Sequence, residues 1–295
     1  MSVGQAGTVT SFSFSQVDVF ASAPLEGNPV AVVHGATGLA DDQMATFARW
    51  TNLSETTFLL PPTEAAAEAG ADYLLRIFTP AEELPFAGHP TLGSAHAWLE
   101  AGGVPAIDGR IVQECGLGLI QLRLSGEGLA FGAPEFLRHG EVEEPVLAQA
   151  ISALGVSPER VLRSSWIDNG PGWLGVQLAS ADDVLDLRPD FVAMSGLEIG
   201  VIGAHDEARR AQLGADHEVR AFCPGFSIPE DPVTGSLNAG FALWLVRAGH
   251  LPGNFVTRQG TVLGRNGRVR IETDEAGEIW VGGTSRTLID GTLTL

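Results

Sequence analysis

The sequence predicts an α+β fold of two pseudo-symmetric domains, each a curled, β-barrel-like sheet wrapped around one central helix. Three observations carry that expectation. The pattern P-x-x-G-S occurs twice, at Pro90–Ser94 and Pro232–Ser236, each time directly after a polar residue, His89 or Asp231. Each copy leads into a helix-like run that is apolar nearly all round: from Leu237 to Val246 only Asn238 is polar, and past Ser94 the run to Leu99 is broken only by His96. A helix apolar on every side is buried on every side. Most of the remaining chain is patterned as short strands, so the expected cover is a sheet.

The elements follow in order. Phe12–Phe20 alternates apolar and polar residues, the period of a half-buried strand, and Asn28–Val33 reads as a second strand after a proline-bounded turn. Leu39–Leu53 reads as a short helix with Asp41 as its N-cap. Thr56–Leu60 and Asp72–Thr79 are β-rich. After the first P-x-x-G-S segment, Gly109–Gly132 reads as strands broken at Gly116–Gly118 and Ser125–Gly128. The second half repeats the plan. A helix is expected over Glu143–Gly155, strands over Trp173–Leu178, Leu197–Ala204 and His217–Phe222, and a closing meander over Asn254–Leu295. No Pro/Ser-rich linker marks a boundary, and the best division is residues 11–130 and 131–284, with a strand over about 285–295 returning to the first domain.

Bulk composition bounds the function. A chain of 295 residues, 44% hydrophobic and 18% charged, can bury one large or two medium cores. A net charge of -19 argues against binding a phosphate backbone, and no apolar run is long enough to span a bilayer. The start, Met1–Thr10, lacks the basic and apolar regions of a signal peptide. Cys115 and Cys223 stand far apart, as expected of free thiols in a reducing cytoplasm. All 17 basic residues are arginine. Without lysine there is no pyridoxal Schiff base and no Walker lysine, and the seven histidines show no metal-ligand spacing. His34, His139, His205, His217 and His250 fall in or near loops and are expected at the surface. The expectation is chemistry by carboxylates, histidine, hydroxyls and backbone, with no cofactor and no metal.

A helix N-terminus presents free N–H groups and a partial positive charge, so it binds carboxylate well. Proline costs nothing in that first turn. Two such mouths facing each other would grip a small acidic molecule, with His89 and Asp231 at the rim. The bland alternative makes Asp231 a mere N-cap and His89 a satisfied rim histidine. Asn52-Leu53-Ser54-Glu55 has the spacing of a capping box, but the β-branched run after it does not continue as a helix. Glu55 therefore starts a strand. Partial burial would raise its pKa and suit it to proton transfer. From the local pattern alone, an exposed edge-strand glutamate is the better reading. Glu230 beside Asp231 suggests paired carboxylates, although adjacent residues usually point apart.

Four segments, Val17–Val33, Asn52–Leu60, Arg76–Ala97 and Val219–Ser236, together resemble the phenazine biosynthesis PhzF-like family over nearly the whole chain. That family is similar in fold to diaminopimelate epimerase and proline racemase, with the site between two pseudo-symmetric domains. The resemblance implies that Glu55 is the acid/base carboxylate. It implies that Gly88, His89 and Asp231 contact the substrate and that Gly235 and Ser236 hold its carboxylate. The related racemases carry a cysteine at each helix mouth; here neither mouth has one, and Cys115 and Cys223 lie elsewhere in the motif frame. The implied activity is a cofactor-independent isomerase, similar to trans-2,3-dihydro-3-hydroxyanthranilate isomerase, acting on a small acidic metabolite as a homodimer. A racemase or epimerase, or a catalytically idle binder, stays open beside it.

Overall fold

The computed structural model describes residues 10–125, 128–226 and 228–295. Residues 1–9, Gly126, Glu127 and Ser227 lie outside the described residues.

The first half starts with β1 (Ser11–Val19) and β2 (Asn28–Val33), an antiparallel pair. Helix α1 (Asp41–Thr51) crosses to β3 (Glu55–Leu60), which lies parallel to β2. A short α2 (Glu64–Glu68) leads to β4 (Tyr73–Phe78), antiparallel to β3. The two-residue β5 (Glu83–Leu84) turns the chain into α3 (Gly88–Glu100). Then β6 (Arg110–Cys115) lies parallel to β4, and β7 (Gly118–Ser125) and β8 (Gly128–Gly132) complete a meander.

The second half is entered through β9 (Arg138–Gly140) and α4 (Glu144–Leu154). From there it repeats the same order and the same strand senses. β10 (Val161–Asp168) and β11 (Trp173–Leu178) are antiparallel. α5 (Ala181–Asp186) crosses to β12 (Glu198–Ala204), parallel to β11. α6 (Glu207–Leu213) leads to β13 (His217–Cys223), antiparallel to β12. The short β14 (Ile228–Asp231) precedes α7 (Gly235–Arg247). β15 (Phe255–Gln259), parallel to β13, is followed by β16 (Gly267–Thr273) and β17 (Ile279–Gly283). The halves are tied together at both ends. β8 pairs with β17, and the last strand, β18 (Ser285–Thr294), flanks β1 as β9 flanks β10 within the second half.

Both central helices are enclosed as their composition predicts. Val17, Val30, Ile77, Leu122 and Phe131 surround Leu92 and Ala95 of α3. Ile167, Ile202, Val219 and Ala221 surround Leu237, Phe241 and Leu245 of α7. Each fully buried Leu or Phe is worth roughly 1.5–3 kcal/mol, so these helices anchor their sheets. The two helices are matched in length, and each carries glycine at its sixth position. A Cβ on Gly93 would lie 2.4 Å from Val30, and one on Gly240 would lie 2.8 Å from the Ile167 carbonyl. Glycine there lets the helix lie against its sheet.

This corrects the register of the duplication. The P-x-x-G-S match pairs His89 with Asp231, but α3 begins at Gly88 and α7 at Gly235, a shift of five residues. In space His89 is the counterpart of Ser236. Other local expectations also change. Asp41 is the first helical residue of α1, not its cap; Ala40 is the N-cap, and the Gln43 side chain accepts from its N–H. Asn52 is the left-handed C-cap of α1. His205 and His217 are buried, because His217 lies within β13 and His205 pairs with the buried Glu218 at 3.2 Å. The sequence reading passed over β9, β10, α2, α5 and α6, which are short or carry charges that blur their periodicity. Among the described residues no helix is long and apolar enough to cross a membrane.

Candidate active site

The N-termini of α3 and α7 meet. A Cβ built on Gly235 would lie 2.9 Å from the Gly88 Cα, and one on Gly88 would lie as close to the Gly235 Cα. Only glycine permits this approach, so the backbone N–H groups of both first turns converge on one place. Glu55, His89, Asp231, Gly88, Gly235 and Ser236 are thereby gathered from separate parts of the chain.

Glu55 reaches the joint because β3 runs between β2 and β4. It is therefore not on an edge strand, and its side chain is only 14% exposed. His89, in the first turn of α3, places Nε2 3.2 Å from Glu55 Oε2; the contact falls short of hydrogen-bond geometry, and among the described residues neither atom has a hydrogen-bond partner. Asp231 closes β14 three residues before Thr234, the N-cap of α7, so it is not the cap. Its Oδ2 accepts from Thr234 Oγ1 at 2.5 Å, and its Oδ1 accepts from Asn28 Nδ2 at 2.9 Å and Ser54 Oγ at 3.4 Å. Both His89 and Asp231 are buried, not rim residues, because the two halves are shut upon them. Glu230 turns away and forms a bidentate pair with Arg220.

Burial dominates the electrostatics. It pushes the Glu55 carboxyl well above the usual range, and the nearby Asp231 charge adds to the rise. Burial also raises Asp231 to about 6, against its hydrogen bonds from Thr234, Asn28 and Ser54. It lowers His89 to about 3, so the ring is neutral at working pH. The site thus holds two carboxyls of raised proton affinity and one neutral imidazole.

The enclosed cavity measures about 50 Å³ and is bounded by Glu55, Asp231, Thr79, Thr234, Ser236 and Trp173, with Leu84, Ala87, Pro171 and Cys223. That is room for a few waters and not for a ring-sized molecule. Among the described residues no arginine lines it, so an anion there depends on helix N–H groups and hydroxyls. Ser236 Oγ already accepts from Trp173 Nε1 at 3.1 Å, and its carbonyl accepts from Asn169 Nδ2 at 2.9 Å. Cys223, which the motif frame put elsewhere, faces this cavity from the end of β13. Burial and the carboxylates of Asp231, Glu198 and Glu55 push its thiol up, so it stays protonated. Sequence reasoning also missed Asn28, Thr234 and the supporting Gln259, whose Nε2 donates to the Asp231 carbonyl and whose Oε1 accepts from the Thr234 N–H. Asn28 opens β2 without any local signal; only the fold brings it to the joint. Among the described residues no three His, Cys, Asp or Glu side chains gather as metal ligands.

Two halves of equal topology, each enclosing a helix whose mouth opens on a shared buried carboxylate, define the epimerase-like fold class with a carboxyl placed for acid/base chemistry. The profile of the phenazine biosynthesis-like proteins matches residues 17–292, and the chain belongs to that family. The chain is 34% identical to the trans-2,3-dihydro-3-hydroxyanthranilate isomerase of Pseudomonas chlororaphis, over 95% of this chain and 98% of the relative. It is 36% identical to antisense-enhancing sequence 1 of Schizosaccharomyces pombe, over 96% and 99%. The crystal structure of a phenazine biosynthesis PhzF-family protein from Enterococcus faecalis superposes with a TM-score of 0.77 at 26% identity, covering 97% of this chain and all of that one. A hydroxyproline epimerase from Agrobacterium vitis, at 14% identity and a TM-score of 0.57 over 97% of this chain and 93% of its own, shares the fold alone.

Proposed function

We propose that this isomerase moves one proton between two carbons of a small cyclic or amino-acid-like carboxylic acid, without a cofactor. The first substrate to test is trans-2,3-dihydro-3-hydroxyanthranilate. The observation that carries the reading is Glu55: a buried carboxyl of raised proton affinity, 3.2 Å from a neutral histidine, where two helix N-termini meet.

The division into residues 11–130 with 285–295, and 131–284, gives two units that can part and close. The flanking of β1 by β18 supports that division. Parting is needed because the shut cavity is smaller than the substrate. On closure the substrate carboxylate takes the N–H groups of Gly235 and Ser236 at the start of α7, and Gly88 and His89 approach from the other mouth. Asp231 accepts from a hydroxyl or amino group. Glu55, ionised, takes a proton from one carbon, and the electron pair delocalises into the adjoining π-system. The now neutral Glu55 returns the proton to a second carbon of that system, so no proton is gained or lost overall. Closure excludes water and holds both carbons within reach of one carboxyl. A racemase would use a second base on the opposite face. In each turnover that second group must start protonated; Cys223 lines the cavity as a thiol, and the exchange test separates that reading from isomerisation.

The test is incubation with trans-2,3-dihydro-3-hydroxyanthranilate and a panel of cyclic and acyclic amino and hydroxy acids in D2O, followed by NMR. Isomerisation with less than one full deuterium at the accepting carbon supports the reading. Exchange at a single α-carbon without isomerisation points to the epimerase. Neither isomerisation nor C–H exchange on any compound points to an idle binder.

A further inference from the structure

Asn28 touches both mouths of the joint. It is fully buried at the start of β2. Its Nδ2 lies 2.9 Å from Asp231 Oδ1, 2.9 Å from the Val233 carbonyl and 3.3 Å from His89 Nδ1. A carboxylate and a carbonyl oxygen are acceptors, so the atom facing them is the amide nitrogen and not its oxygen. An amide nitrogen only donates. With that amide as its partner, His89 Nδ1 accepts, which leaves the single hydrogen of a neutral imidazole on Nε2, the nitrogen that faces Glu55 Oε2 at 3.2 Å. The Pro29 carbonyl also acts on the ring, raising its proton affinity against the larger effect of burial. It is the acceptor that would compete for a hydrogen on Nδ1.

We infer that Asn28 is a positioning residue that fixes His89 as the Nε2–H tautomer, so that the ring hydrogen sits on the nitrogen nearest Glu55, where its partial positive charge favours the ionised, proton-accepting carboxylate. The inference rests on the acid/base reading of Glu55. Burial favours the neutral form of this carboxyl, and an N–H dipole 3.2 Å from Oε2 offsets part of that preference. Two amide hydrogens serve three acceptors, two of them on the far side of the cleft. When the halves part, the bonds to Asp231 and Val233 are lost and His89 has the amide to itself. The tautomer is therefore set before the substrate arrives and kept during closure.

The experiment is 15N NMR of the imidazoles in the substrate-free protein, with the His89 signals assigned by their loss in His89→Ala. At neutral pH the native ring should show Nε2 protonated and Nδ1 bare. Asn28→Asp keeps the shape but offers an acceptor, and should draw the hydrogen to Nδ1; Asn28→Ala should give a mixture. With trans-2,3-dihydro-3-hydroxyanthranilate, kcat of both variants should fall roughly ten- to hundredfold with KM little changed. The acid limb of kcat should move to higher pH, because Glu55 has lost a nearby N–H that favours its charged form. A native ring protonated on Nδ1, bonded to the Pro29 carbonyl, overturns the inference, even if a variant does not fold. A folded Asn28→Asp protein with an unshifted tautomer and acid limb overturns it too. The NMR result stands apart from catalysis, so an inactive native enzyme with the expected tautomer would fault the substrate and not Asn28.

Discussion

At the scale of single residues, the site depends on what burial does to three titratable groups. Free glutamate and aspartate titrate near about 4. Here Asp231 sits at about 6 and Glu55 is held well above its usual value, so the ionised forms appear only as pH rises through the raised values. The base form of Glu55 is lost as pH falls through its folded pKa. The profile of kcat/KM against pH should therefore show its acid limb well above the range of an ordinary carboxylate, and His89, at about 3, should add no limb near neutral pH. Because the two carboxyls interact, the limb belongs to the pair. A rate that stays level down to about pH 4.5, the range of an ordinary carboxylate, would contradict this assignment. Residue-level legibility was uneven. Glu55 looked like an edge-strand residue because nothing local reveals that β3 has neighbours on both sides. Asp231 and His89 looked like rim residues because their burial comes from the other half of the chain, which a local window does not see.

At the scale of elements, the two central helices were legible from composition, since a helix with no polar face can only be enclosed. Their alignment was not. The repeated P-x-x-G-S is a coincidence of turn chemistry, and the true repeat is carried by glycines chosen for contact: Gly88 with Gly235 across the joint, Gly93 and Gly240 against their sheets. Contact of this kind leaves no periodic signature. It does make a sharp prediction. Gly235→Ala puts a methyl 2.9 Å from the Gly88 Cα and 3.1 Å from the His89 nitrogen, where it should wedge the mouths apart. Overpacking costs roughly 1–3 kcal/mol, here borne by the closed state. The expected result is a fall in kcat/KM of roughly tenfold or more, with Tm changed by only about a few degrees. Native kcat/KM in this variant would show that the helix mouths need not meet.

At the scale of the molecule, the sequence shows many strands but not how they are shared. The meander at the end of the chain was legible from alternation, and a strand over about 285–295 was expected to return to the first domain; that its partner is β1 was not legible, because the pairing joins residues at opposite ends of the sequence. That pairing runs from Ser11–Thr294 to Val19–Ser285 and covers the edge of the sheet that holds Val17 and Val19 against α3. A chain ended after Gly283 would expose that edge and its apolar face. It should be recovered as aggregate, and a soluble, active truncated protein would show that β18 is dispensable. The short charged helices α5 and α6 were missed because helices of this length form through packing more than through propensity.

The central claim is that one carboxyl, Glu55, both removes and returns the migrating proton. Glu55→Gln keeps the shape of the side chain but cannot carry a proton. The decisive measurement is single-turnover isomerisation of trans-2,3-dihydro-3-hydroxyanthranilate in D2O, with binding followed separately by calorimetry. Native protein should isomerise the substrate with less than one full deuterium at the accepting carbon, because a shielded carboxyl returns part of what it took. Glu55→Gln should bind with nearly native affinity and lose roughly 10³–10⁴-fold or more of the rate. A Glu55→Gln protein that transfers the proton at the native rate would contradict the account.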